Sequence, residues 1–221
     1  MNKRLVAAFQ SILKLPYVPT QSGDHFDTAI SEILRKTAKL EALDKPSAKK
    51  RKEIFADWKE NKAWGYLSQP NGEHSSPDFF LFLRGLGVLE IEVKRSNTGE
   101  VMWNSGHPVP GTIYIYNGKT KSGGSTTFVL GDDLITTEEA DGLEEVKSRL
   151  YDLRKSYIQT CPNNRWSLSH LRPMFTETKE KRWLDHSLRA EREARVFAYL
   201  ENRTASCLNL EKAILETAHT P

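Results

Sequence analysis

The sequence predicts a mixed α/β fold: a mixed β-sheet of about four to five strands flanked by helices, with a mostly helical C-terminal part. Two observations carry this. Apolar residues recur at helical spacing near both ends of the chain, and four β-branched or aromatic segments fall together between residues 78 and 130. The order is therefore helices, then strands, then helices. A doubly wound sheet would alternate strand and helix instead.

The elements follow in order. The first helix runs from Leu5 to Leu13, with Leu5, Phe9, Ile12 and Leu13 on one face, and Pro16 and Pro19 end it. A second helix runs from Asp24, a suitable N-cap, to Leu43; its apolar stripe is Phe26, Ile30, Ile33, Leu34 and Leu40. Pro46-Ser47 opens a third helix carrying Ile54, Phe55, Trp58 and Trp64, and Ser68-Gln69-Pro70-Asn71-Gly72 forms a loop. The strands are Asp78 to Leu83, Val88 to Arg95, Thr112 to Tyr116 and Thr126 to Leu130. The glycine-rich stretch from Gly118 to Ser125 is a mobile loop or hairpin end. Thr137 to Ile158 forms a helix with Leu143, Val146, Leu150, Leu153 and Tyr157 at helical spacing. After Pro162-Asn163-Asn164 come a charged helix, Glu177 to Leu200, and a short one, Leu208 to Thr217.

Composition narrows the function. The 221 residues suit a single domain over 1–221, with a core over about 24–158 and a helical part over about 159–221. With 38% hydrophobic residues there is enough apolar material for a core, which excludes wholesale disorder. No apolar run approaches the ~18 residues that span a bilayer, so no membrane partner is expected. The opening Met1-Asn2-Lys3-Arg4 and its short apolar run lack the h-region of a secretory signal. The two cysteines, Cys161 and Cys207, form neither a disulfide framework nor a four-cysteine zinc site, which fits a cytoplasmic protein. A net charge of +3 permits nucleic-acid binding without the basicity of a purely electrostatic binder. Charge is uneven, however: residues 35–62 hold ten basic side chains against five acidic ones.

The chemistry concentrates between Pro77 and Lys94. Along Val88 to Arg95, Leu89, Ile91 and Val93 point one way and Glu90, Glu92 and Lys94 the other, because strand side chains alternate. Lys and Glu are rarely covered without a reason. The Arg84-Gly85-Leu86-Gly87 segment can close a hairpin. A three-residue loop, Gly85 to Gly87, places Asp78 opposite Lys94 and Phe80 opposite Glu92, so that Asp78 shares a face with Glu92 and Lys94. A two-residue loop turns Asp78 to the other face. Two carboxylates held this close repel one another unless a cation sits between them. Asp78, Glu92 and the carbonyl of Val93 are hard oxygen donors that suit Mg²⁺, and Lys94 can balance charge beside it.

Pro77-Asp78 followed by Glu92-Val93-Lys94 resembles the motif of the PD-(D/E)XK nuclease superfamily. The resemblance covers about Asp24 to Ile158 and implies a restriction-endonuclease-like core. Trp103-Asn104-Ser105-Gly106-His107-Pro108 and the strand Ile113-Tyr114-Ile115-Tyr116 are most similar to a type II restriction endonuclease. That resemblance implies Mg²⁺-dependent hydrolysis of double-stranded DNA at a specific site, leaving 5′-phosphate ends. Asp78, Glu92 and Lys94 would be catalytic, and Asp78, Glu92 and Val93 would hold the metal. It further implies a homodimer and a cognate DNA methyltransferase protecting the host. Many members add an acid from the preceding helix, a role for which Asp27 and Glu32 compete.

Other readings stay open at this point. Glu90, Glu92 and Lys94 are alternatively the solvent face of an edge strand, ion-paired to Asp78. Glu90 serves as a supporting or solvated acid. Lys49-Lys50-Arg51-Lys52 and the loop residues Lys119 and Lys121 are phosphate contacts or solvated surface. Ser96, Asn97, Asn104, Ser105 and His107 reach DNA or form a polar loop; His107 has no partner at zinc-ligand spacing. Trp183, Leu184, Leu188, Phe197 and Leu200 are core or dimer contacts, and Arg189, Arg192 and Arg195 pair with helix neighbours. A repair or junction nuclease, a DNA-binding protein without catalysis, and a protein-interaction module are the competing functions.

Overall fold

The computed structural model describes residues 2–19, 23–43, 65–70, 76–83, 87–97, 101–103, 107–120, 123–161, 174–175 and 187–202. Helix α1, Asn2–Leu13, forms where Leu5, Phe9 and Ile12 fall on one face, and all three are fully buried. Helix α2, Gly23–Ile33, buries Phe26 and Ile30 and runs into a π-helical turn, Leu34–Ala38. The expected continuation to Leu43 does not occur. Lys39 takes a left-handed conformation (φ 60°), its N–H bonds back to the Leu34 carbonyl, and the helix closes there. Strand β1, Glu41–Ala42, follows at once.

The main sheet has six strands, more than the four to five expected. Besides β1 these are β2 (Gly65–Ser68), β3 (Phe79–Leu83), β4 (Gly87–Ser96), β6 (Ile113–Thr120) and β7 (Gly123–Leu130), in the order β1-β2-β3-β4-β6-β7. It is mixed: β1–β2 and β4–β6 are parallel, and the remaining neighbours antiparallel. Strands β5 (Val101–Met102) and β8 (Met174–Phe175) pair separately as a short antiparallel ribbon. The sequence reading missed this ribbon and, in the main sheet, β1 and β2. Each is four residues or fewer and is held by pairing to a distant segment. The stretch from Gly118 to Ser125, read as a mobile loop or hairpin end, is the end of the β6–β7 hairpin, with Thr120 paired to Gly123.

One face of the sheet carries the main core. Phe79, Leu81, Leu83, Leu89, Ile91, Ile113, Ile115 and Phe128 lie there against α1, α2 and helix α4, Arg189–Asn202, which contributes Val196 and Leu200. Phe128 touches Phe9 and Phe197 edge-on, with ring centroids 5.4 and 6.2 Å apart. The opposite face carries two smaller clusters. One holds Leu67, Phe80, Phe82 and Val88, the other Val101, Trp103, Tyr114, Tyr116, Val129 and Leu134. Long-range polar bonds tie the layers. Thr126 Oγ1 donates to the Leu15 carbonyl at 2.7 Å, and Thr127 Oγ1 to Glu193 Oε1 at 2.7 Å. Arg189 pairs with Glu193 at helical spacing, as expected, whereas Arg195 reaches out of its helix to Asp133 at 2.6 Å and Arg192 is buried.

Helix α3, Thr137–Thr160, starts on a capping box: Glu139 N–H donates to Thr136 Oγ1 (3.2 Å), and Thr136 N–H to Glu139 Oε2 (2.8 Å). Its expected apolar stripe is only partly covered, with Leu143, Leu150 and Tyr157 half-buried. No residue of this helix is buried, and Val146 and Leu153 are 50% and 64% exposed. Periodicity identified the helix correctly. No described helix is long and apolar enough to cross a membrane. The expected helix after Pro46, the basic run from Lys49 to Lys52, the start of the last long helix (residues 177–186), Leu208 to Thr217 and Cys207 lie outside the described residues.

The β7–α3 connection contains a close backbone approach. Gly131 N–H donates to the Thr112 carbonyl (2.9 Å), and a Cβ at Gly131 would lie 1.9 Å from the Val109 carbonyl oxygen. Gly131→Ala is therefore expected to lower stability by about 1–3 kcal/mol, because backbone rather than a flexible side chain must move. A urea-unfolding curve checks this.

Candidate active site

The register between β3 and β4 sets the site. Phe79 lies opposite Ile91, Phe80 opposite Glu90 and Leu83 opposite Gly87, which leaves residues 84–86 between the paired ends. The connection has the expected odd length, but the pairing is displaced by two residues: Phe80 faces Glu90, where Glu92 was expected. A displacement of two preserves the face. Asp78, one residue before the first pair, thus lies beside Glu92 and Val93 instead of opposite Lys94. Strand β4 is flanked by β3 on one side and β6 on the other, so the edge-strand alternative is overturned.

Asp78 Oδ2 accepts the Val93 N–H at 2.7 Å. Glu92, only 7% exposed, accepts Lys94 Nζ on Oε1 at 2.6 Å and Ser76 Oγ on Oε2 at 2.8 Å. Lys94 is itself largely covered, its side chain 14% exposed. Burial, then the charge of Glu92, raise the Asp78 carboxyl from 3.8 to about 7; the Val93 N–H opposes this. The four expected residues therefore meet in one place: Glu92 and Lys94 through side chains on the sheet face opposite the main core, and Val93, whose side chain packs on that core, through its backbone N–H to Asp78.

The structure also separates the two candidate helix acids. Asp27 lies close enough to Glu92 and Asp78 for their charges to interact, and its carboxyl is raised to about 6, chiefly by burial and then by Asp24. Glu32 is exposed and paired with Lys36 at 2.7 Å, at helical spacing. Asp27 is thus the acid that α2 brings to the site. Phe26 and Ile30 explain why: they turn α2 so that its neighbouring residue sits at the edge of the buried face.

Several neighbours were not legible as site residues. Gln69 hydrogen-bonds the Asp27 side chain, and its N–H donates to the Asp78 carbonyl at 2.6 Å. Ser76 was signalled only by its position next to Pro77. Arg95 stacks 5.8 Å from the Tyr17 ring and 5.9 Å from that of Phe26, and donates to the Val18 carbonyl at 3.2 Å. Tyr17 in turn donates to Asn97. Glu90 is not solvated: it accepts Thr112 Oγ1 at 3.1 Å, and burial raises its carboxyl. His107 contacts the Pro108 carbonyl (2.8 Å) and Glu144 (3.1 Å), which ties its loop to α3. Asn104, Ser105 and Lys121 lie outside the described residues, and Lys119 is exposed.

Among the described residues no group of three or more His, Cys, Asp and Glu side chains is drawn together to hold a metal. The expected set has a different make-up, two carboxylates and the Val93 carbonyl. Its chemistry fits Mg²⁺: the donors are hard oxygens, and burial together with the neighbouring carboxylates raises the proton affinity of Asp78 and Asp27. A carboxylate has about four lone-pair sites, so the bonds to Lys94 and Ser76 leave Glu92 acceptor capacity. No protein-family model, curated protein or solved structure matches this chain.

The raised carboxyls fix a sign for pH dependence. Between about pH 4 and pH 7 the folded chain holds protons on Asp78 and Asp27 that the unfolded chain has released. Their contribution to stability is complete below about pH 4 and lost as pH rises through about 6 and 7. Asp78→Asn keeps an oxygen for the Val93 N–H and has no charge to bury. Its urea midpoint is expected to exceed that of the parent at pH 8 and to match it near pH 4; equal shifts at both pH values would contradict this origin.

Proposed function

We propose that the chain is a Mg²⁺-dependent deoxyribonuclease that hydrolyses double-stranded DNA at a short specific site, as a type II restriction endonuclease does. One observation supports this above the rest. Asp78, just before β3, and Glu92 on β4 come together beside Lys94 in a largely covered place, where burial first and then the charge of Glu92 raise Asp78 to about 7. A purely structural ion pair would need one acid and one base; here Asp78 and Asp27 add charge that Lys94 alone does not balance.

In this reading Asp78, Glu92 and the Val93 carbonyl hold Mg²⁺. When bound, the ion supplies Lewis-acid stabilisation of phosphoryl charge and makes water a better nucleophile. Lys94 orients the attacking water and neutralises charge on the five-coordinate phosphorus. The new bond joins water oxygen to phosphorus in line with the bond to the 3′ oxygen, which breaks. The products carry 5′-phosphate and 3′-hydroxyl ends. Asp27 adds a third negative charge beside the pair, and Ser76 keeps the Glu92 carboxylate aimed. One active site per chain and two strands to cut favour a homodimer whose two-fold axis matches that of the DNA site.

A second reading has its own support. Glu92 already takes hydrogen bonds from both Lys94 and Ser76, as it would in a DNA-binding protein whose acids are structural. Plasmid and phage DNA incubated with Mg²⁺ or with EDTA separate the two. The nuclease reading expects discrete fragments that require Mg²⁺, disappear with Asp78→Ala, and form at least about 100-fold more slowly with Lys94→Ala while gel-shift binding persists. A smear moves the assignment to a repair or non-specific nuclease. Intact DNA that is still bound supports the non-catalytic reading.

A further inference from the structure

Gln69 holds a backbone conformation that its sequence context opposes. Its φ is 51°, in the left-handed region that costs a residue with a Cβ about 1–2 kcal/mol. The next residue is Pro70, and a residue before proline is biased toward extended backbone by contact with the proline ring. Lys39, the other described non-glycine residue with positive φ, closes a helix, where that conformation is ordinary. Gln69 closes no helix. It ends strand β2, directly after the Ser68–Phe79 pair.

What holds it there are two groups of the candidate site. Its N–H donates to the carbonyl of Asp78 at 2.6 Å, and its side chain hydrogen-bonds the carboxylate of Asp27. One half-buried residue therefore connects the helix acid to the backbone of the strand acid. Carboxylates that repel one another must be restrained from outside if they are to stay close. An amide is suited to this, since it donates a hydrogen bond without adding charge. Strain retained at a single loop residue, with both of its bonds directed into one site, is the pattern of a positioning device.

We propose that Gln69 is a positioning residue that clamps Asp27 against the Asp78–Glu92 pair. It acts through Asp27 and touches no reacting atom. The proposal rests on the nuclease reading for its catalytic consequence, while the clamp itself is a property of the fold.

Two substitutions separate positioning from scaffolding. Gln69→Gly and Gln69→Ala both remove the amide, but only glycine relieves the backbone strain. Stability should therefore follow the Cβ, with the glycine variant unfolding at higher urea than the alanine variant. Cleavage should follow the amide, with kcat down at least tenfold in both variants and KM for DNA little changed. If cleavage instead recovers in the glycine variant along with stability, Gln69 is only a scaffold and the proposal is overturned. An NMR measurement reads the clamp without activity: the Gln69 side-chain amide signals of the full chain should shift on Asp27→Ala. Should the parent chain cut no DNA, the nuclease reading fails, and this shift alone decides the clamp; unmoved amide signals overturn it in either case.

Discussion

The site depends on which residue of β3 lies opposite which residue of β4. Side chains on paired strands alternate faces, so a slip of one residue would carry Asp78 to the side of Leu89 and Ile91, among fully buried apolar groups. A carboxylate there would lose hydration without gaining a partner, a cost of several kcal/mol. The same slip would bring Phe80 and Phe82 out of their own cluster. Hydrophobic sorting on both faces of β3 thus enforces the register, and the register delivers Asp78 to Glu92. The acids are placed by the apolar residues around them.

The second constraint is charge. Asp27 comes from α2, Asp78 from the residue before β3 and Glu92 from β4, and Lys94 is bonded directly to Glu92. Arg95 lowers the proton affinity of Asp27, but it is also occupied with Tyr17, Phe26 and Val18. The fold therefore tolerates a local excess of acid in a half-covered place. Such an excess is costly to stability and useful where a cation is to be captured.

Much of this was readable from local pattern. The α1 stripe and the alternation along β4 are short-range periodicities, and they appear in the structure as expected. The odd-length β3–β4 connection followed from requiring Asp78 and Glu92 to share a face. What escaped were features fixed by distant partners. Strand β1 has two residues and exists only through its pairing with β2. Asp27 and Glu32 share one helix, and only the rotation that buries Phe26 and Ile30 distinguishes them. Gln69 reads as loop, because neither its φ nor its reach to Asp27 is encoded in its neighbours. The α3 stripe shows a different shortfall: a correct amphipathic pattern of which Leu143, Leu150 and Tyr157 are only half-buried.

The way α1 is buried has a consequence for how the chain is made. Phe9 packs on Phe128, which packs on Phe197, and Thr126 bonds back to Leu15. Helix α1 thus finds partners that are synthesised more than a hundred residues after it, and the last of them nearly two hundred residues after it. Contacts of such sequence separation slow folding, since loop closure must come before any gain from packing. Until α4 arrives, the sheet's larger apolar face stands partly uncovered beside its helices. The nascent protein is therefore a natural client for chaperones, and a chain that stops short of α4 would be prone to aggregate through that face.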